Sequence, residues 1–300
     1  MEIEMLETLL YMLVAGSLVG FVSSFFGVGA CFIMVPVMDY CFTTFLGVHP
    51  SIATLIAFGT NMAVVVPTSI SGFLRHRREL TAKGLSFPVG HYLRFALPVG
   101  VGSLMGAAFA FVFFSSFRAE AGVILKVLFG LFCLFGAYRF MTAKPRPVDS
   151  LKPPSTVGYA ISGVVSGFLA HFIGIGGGIV YMPVLNTFLQ IPVHFAVPLS
   201  IATMIIGSSV GAVSFAVLGH LDQIRHPADY PPMTFGWFNL YAWLGLGVTS
   251  IILAQLGPRV AHRTSPQRYK VLLGIVYAYI GVRLVVNGVF WLQGLHPPIP

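Results

Sequence analysis

Charge is what this chain has least of. Asp, Glu, Lys and Arg together make up 9% of its 300 residues, against about 25% in an ordinary soluble domain. A water-facing fold of this length could not cover its apolar surface with so few charges, so the scarcity makes lipid the solvent. Cysteine is scarce too. Cys31, Cys41 and Cys133 all stand in apolar surroundings, which gives neither a disulfide framework nor a zinc site. The first residues carry Glu2, Glu4 and Glu7 and no basic residue. The first apolar segment therefore lacks the positive flank of a cleaved signal peptide and reads as retained. The apolar segments contain no paired carboxylates, metal-ligand cluster or Ser/His/Asp set, which leaves an intramembrane enzyme the weakest reading. The Gly-x-Gly patterns have no βαβ context or acidic ribose partner, so no nucleotide cofactor is expected, nor any other.

What is present is apolar length. Residues 8–38, 40–74, 95–117, 153–221 and 230–258 contain no Asp, Glu, Lys or Arg. A crossing helix needs roughly 20 apolar residues, so the longest of these runs holds about three membrane segments. The net charge of +8 does not point to nucleic acid, because of where it sits. Arg75, Arg77, Arg78, Lys83 and Arg94 form one cluster. Arg139, Lys144, Arg146 and Lys152 form a second, and Arg259, Arg263, Arg268 and Lys270 a third. Basic clusters between apolar segments are the mark of cytoplasmic loops.

The chain also repeats itself. Gly20–Gly29 matches Gly167–Gly176, and Pro36-Val37 matches Pro183-Val184 at the same spacing. Ser51-Ile52-Ala53-Thr54 recurs as Ser200-Ile201-Ala202-Thr203, and Lys126–Gly130 as Lys270–Gly274. The fold class this predicts is an all-α polytopic membrane protein of two repeats, residues 1–141 and 157–300, joined by a cytoplasmic linker over 142–156. Each repeat reads as five helical segments: about 6–25, 30–46, 50–74, 89–114 and 119–141, then 157–173, 177–190, 195–219, 235–256 and 267–293. The basic clusters place 74–94, the linker and 257–270 inside. They place both termini, the 115–118 loop and 220–234 outside, so the halves run in opposite directions. Inverted repeats are a recurrent design of secondary transporters.

The first two segments of each half are too short for two full crossings and are interrupted by glycine. The breaks fall at Gly27, Val28, Gly29, Ala30 and Cys31 in one half and at Gly174, Ile175, Gly176, Gly177 and Gly178 in the other. Such matched interruptions point to a binding site near mid-membrane. A helix starting after the glycines presents unpaired N–H groups and partial positive charge, which suits a small oxyanion without a buried Lys or Arg. The alternative is that these glycines serve only close helix packing. The third segments add Ser51, Thr54, Asn61, Ser200 and Thr203, which either complete the anion's shell or bond helix carbonyls. His171, beside the second loop, is a candidate ligand or proton relay or else a satisfied core residue. Asp39 reads as interfacial, Lys126 and Arg283 as snorkelling, and His76 as a solvated residue of a basic loop.

At these residues the chain resembles the TauE/SafE family of sulfite exporters. The carriers are Gly27-Val28-Gly29 with Pro36, Gly59-Thr60-Asn61 through Gly72 with His76 and Arg77, and Gly174–Gly178 with Pro183. The resemblance covers nearly the whole chain. It implies a bacterial inner-membrane permease for sulfite, sulfonates or related anions. The chain departs from the family at Ala30-Cys31, where the second half keeps Gly177-Gly178. The expected function is thus a secondary transporter of a small sulfur-containing or organic oxyanion, working by alternating access. A passive anion channel of the same architecture is the alternative. Its expected partners are the small anion and the lipid bilayer, with no nucleic acid. A coupling proton or sodium ion, and pairing as a homodimer, are left open.

Overall fold

A computed structural model describes residues 2–142, 151 and 155–293. Most of the expected linker lies outside these residues. In chain order the helices are α1 (Glu2–Phe26), α2 (Cys31–Thr44), α3 (Pro50–Ala82), α4 (Val89–Thr142), α5 (Thr156–Phe172) and α6 (Gly178–Pro183), which continues as a π turn over Val184–Phe188. They are followed by α7 (Val193–Arg225), a small hairpin of β1 (Thr234–Phe235) and β2 (Phe238–Asn239), then α8 (Leu240–Leu253), α9 (Leu256–Ala261) and α10 (Pro266–Leu292). Among the described residues, six helices are long and apolar enough to cross a bilayer. Large apolar side chains line the outer surface, as Leu97, Val101 and Leu104 do on α4, and glycines lie where helices touch. That is the pattern of an all-α polytopic membrane protein, whose outer surface meets hydrocarbon instead of water.

Two helices exceed their expected lengths for one reason. α3 continues from the apolar run through Arg75, Arg77 and Arg78 to Ala82, and α7 runs on to Arg225. Arg, Glu and Leu are good helix formers and nothing in these stretches breaks a helix. Arg75 and Glu79 pair one turn apart. The helix of α3 stops only before Gly84, which takes a φ of +70°.

α4 differs from expectation in another way. The backbone stays helical through residues 115–118, where a loop was expected. Yet Phe95 packs its ring on Tyr181 with centroids 5.9 Å apart, and a Cβ at Gly136 would lie 3.9 Å from Pro183. Tyr181 and Pro183 share one short helix, whereas a straight α4 would set residues 95 and 136 about 60 Å apart. α4 therefore turns back on itself, between Phe113 and Gly130. No Pro or Gly stands at 115–118 to end the helix, and the Ser116 hydroxyl bonds back to the Val112 carbonyl at 2.8 Å.

The two halves interlock. Gly16 and Gly20 of α1 sit against the Leu246 and Ser250 backbone of α8, with no room for a Cβ. At the matched positions of α5, Gly163 and Gly167 sit equally close to the backbone of α4 at Phe95 and Val99. Each half thus packs a glycine face of its first helix on a helix of the other half. At the centre, α3 and α7 cross in opposite directions. Gly72 lies near Ile201, Gly211 against Met62, and both Gly59 and Gly219 against Trp237.

Candidate functional site

α1 and α2 form a hairpin whose arms run back to back, so that Tyr11 stacks on Phe45 with ring centroids 5.8 Å apart. Its tip is the first glycine loop. α5 and α6 form the second, equivalent tip. The loops share one backbone pattern: Gly27, Gly29 and Ala30 take φ values of +72°, +78° and +46°, and the matched Gly174, Gly176 and Gly177 take +77°, +70° and +94°. Left-handed backbone at these positions is what reverses the chain so tightly, and glycine adopts it without a Cβ penalty.

The two tips meet. A Cβ added to Gly178 would stand 2.4 Å from the Val28 carbonyl carbon and 2.8 Å from the Gly27 oxygen. The sulfur of Met204 covers both loops, near Gly29 and Gly178 alike. Val28, Ala30 and Cys31 are buried. Neither α2 nor α6 has a side chain capping its N-terminus, so their first N–H groups lack that partner.

Polar side chains on the long apolar helices α3 and α7 hold the loops from the sides. Ser200 of α7 donates to the Gly27 carbonyl at 2.6 Å. Asn61 of α3 reaches the Gly174 carbonyl with its amide nitrogen at 3.4 Å, and Ser208 donates to Gly176 at 3.0 Å. So α7 grips both loops and α3 grips the loop of the opposite half. From α10, Tyr269 donates to the Phe25 carbonyl at 2.8 Å and Tyr277 to Ile179 at 2.6 Å. Two buried polar atoms here have no partner, Asn61 Oδ1 and Thr203 Oγ1. His171 holds the Gly167 carbonyl through Nδ1 at 2.9 Å and packs its ring on Gly207 and Gly211.

The structure does not bring every candidate together. Thr54 donates to Asp39 Oδ1 at 2.7 Å instead of to the loops, and that is also where Asp39 finds a partner. The side chains of Ser51 and Lys126 lie outside those described. Cys31 opens α2 directly after Ala30 and is buried. His76 is a correction. It is buried on α3, bonded to Ser24 and His262, because the helix carries two turns past the apolar run. Met204, Tyr181 and the α10 tyrosines carry no sequence signal for a site; only their contacts reveal them.

The Ala30 departure has a physical reason. Tyr181 lies over Gly177, so that a Cβ there would meet its ring at 2.2 Å. At the matched place in the first half stands Met34, unbranched and flexible, which can leave room for a methyl. At one end of the α3–α7 crossing the β1–β2 hairpin inserts Trp237, 2% exposed, between Gly59 and Gly219. At the other end is a cleft lined by His76, His194 and His262.

The chain matches the family described as sulfite exporter TauE/SafE over residues 12–284. It is 26% identical to a probable membrane transporter protein of Methanocaldococcus jannaschii, over 95% of this chain and 98% of that protein. It is 27% identical to the probable membrane transporter protein YunE of Bacillus subtilis, covering 93% and 98% of the two chains. A probable membrane transporter protein of Haemophilus influenzae is 29% identical over 84% of this chain and 89% of its own length. No solved structure matches. With its match running nearly end to end and its helices built for a bilayer, this chain belongs to the sulfite exporter TauE/SafE family.

Proposed function

We propose that this chain is a secondary transporter of a small sulfur-containing or organic oxyanion, such as sulfite or a sulfonate, and not an enzyme. The observation that carries the reading is the contact of the two glycine loops, one from each half, where Val28 touches Gly178. Uncapped helix starts and partnerless buried polar atoms surround that contact. Positively polarised N–H groups and neutral hydroxyl, amide and imidazole groups suit a small anion that must be released again. The substrate would bind when the loops part, and the halves would rock about them in alternating access.

The antiparallel crossing of α3 and α7 supports opposite orientation of the two halves in the membrane. The Lys83 ammonium donates to the His262 carbonyl at 2.5 Å, which gathers two basic clusters at one end of the molecule. That end is the cytoplasmic one in this reading, with both termini on the far side of a bacterial inner membrane. The test is uptake and counterflow of labelled sulfite, taurine and methanesulfonate by proteoliposomes. Trans-stimulation by unlabelled substrate supports a transporter, whereas flux without it indicates a channel. Absence of flux for all three sinks the oxyanion reading.

A further inference from the structure

The cleft at the basic end lies where α3, α7 and the α9–α10 corner meet, and it has room for about one water molecule. It adjoins the first glycine loop: Val197 lines it and a Cβ on Gly27 would touch Val197. Two of its histidines are bonded to each other, His76 Nδ1 to His262 Nε2 at 3.1 Å. The third, His194, stacks its ring on His262 with centroids 6.1 Å apart. Among the described residues, no three ligating side chains converge to hold a metal ion.

The partners fix the protons. The Ser24 carbonyl can only accept, so His76 Nε2, 2.8 Å from it, carries the N–H. In a neutral ring His76 Nδ1 is then the acceptor, and His262 Nε2 must be the donor. That leaves His262 Nδ1 with a bare lone pair, and this buried atom has no partner. The pair can take one proton there. A second would set two N–H groups against each other across the shared bond.

The neighbours decide when that proton arrives. Lys83 stands just past the end of α3, and α3 presents Arg75 already paired with Glu79. α7 presents His194, α10 presents Tyr269, and α1 offers only backbone carbonyls, Ser24 to His76 and Phe25 to Tyr269. Lys83 and His194 oppose a charge on His262 and Glu79 favours it. With burial added, the ring stays neutral until something negative enters the cleft. The space admits one oxygen of an oxyanion held at the cleft mouth; that oxygen would accept the new Nδ1–H, and the anion and proton would cancel in charge.

We infer that the His76–His262 pair is a one-proton carrier, loading at His262 Nδ1 as one oxygen of a small oxyanion at the cleft mouth takes the place of the water, which makes the proton the coupled ion. The inference rests on the oxyanion-transport reading. Its probe is methanesulfonate, whose own charge is constant across the working pH range. Proteoliposomes hold a pH dye inside, with the membrane potential clamped. Added methanesulfonate should acidify the lumen in the wild type and in His194→Gln. In His262→Gln, whose amide still donates to His76, the acidification per labelled methanesulfonate moved should fall at least tenfold, and if the variant moves none the histidine spectra below decide. Acidification by His262→Gln equal to the wild type overturns the carrier, as does wild-type flux without acidification. Both results leave oxyanion transport standing. If the wild type moves no methanesulfonate, the transport reading fails instead. The carrier is then read from nitrogen-15 histidine spectra of the ligand-free wild type, which needs no variant. Nε2–H tautomers on both His76 and His262 are expected, and an Nδ1–H form of either removes the carrier.

Discussion

Val28 and Gly178, 150 residues apart in sequence, touch so closely that a single methyl group cannot fit between them. Both sides of the contact are backbone, so neither can give way as a flexible side chain would. Gly178→Ala must push the two hairpins apart. Overpacking of this kind costs about 1–3 kcal/mol. The variant should insert in the membrane, melt several degrees lower and lose transport. Normal flux in labelled-substrate uptake would show that the loop contact is not used in the cycle.

Ala30 and Gly177 occupy matched positions with left-handed backbone but carry different residues. A non-glycine residue in that conformation is strained by about 1–2 kcal/mol, offset in part by the chain entropy that glycine loses on folding. Ala30→Gly should therefore be neutral or raise the melting temperature slightly. Gly177→Ala should lower it clearly, because strain adds to the clash with Tyr181. Equal effects in thermal melts of the two variants would contradict the asymmetry between the hairpins.

Two hydroxyls of α7 should respond oppositely. Ser200→Ala leaves the buried Gly27 carbonyl without its donor, at a cost of about 1–3 kcal/mol. Thr203 has a buried hydroxyl with no partner, so Thr203→Val removes an unsatisfied group and should hold or raise stability. If that hydroxyl faces substrate, Thr203→Val also weakens apparent affinity several-fold. Paired melts and uptake kinetics separate the cases, and a destabilised Thr203→Val with unchanged KM would reject a ligand role.

Trp237 fills the end of the α3–α7 crossing opposite the histidine cleft. Trp237→Ala should open that end at a stability cost of about 3–5 kcal/mol. The expected phenotype is an uncoupled leak: faster efflux of preloaded anion and loss of counterflow. Tight vesicles with intact counterflow would mean that the hairpin is no barrier.

Much of this was legible in the sequence because membrane helices leave strong, local signals. Charge-free length gave the segments, and glycine pairs at one spacing gave the two hairpin tips. What the sequence hid is non-local. The reversal near 115–118 was expected, but as a loop; that the backbone stays helical through Ser115-Ser116 is what nothing local announces. His76 reads as a loop residue because its neighbours Arg75, Arg77 and Arg78 are polar. Its burial comes from Ser24 and His262, which lie far away in the chain. Thr54 and Thr203 are matched in the repeat, yet Asp39 claims one while the other has no partner. Pseudo-symmetry in sequence fixes position, and the neighbours then assign each copy its own task.

His262 should make stability depend on pH with a definite sign. Burial, Lys83 and His194 lower its pKa from 6.5 to about 4 in the folded protein. Between those values the unfolded chain binds the proton and the folded one does not, so stability rises as pH rises from 4 to 6.5 and levels off above. Below about 4 both states are protonated and the contribution is gone. Allowing for solvent screening, the span is on the order of 1–2 kcal/mol. His262→Gln should flatten that part of the profile, and saturating methanesulfonate should flatten it in the wild type by drawing the proton onto the folded state. Melting temperatures from pH 4 to 8 measure both, and an unchanged slope in His262→Gln would assign the dependence to other groups.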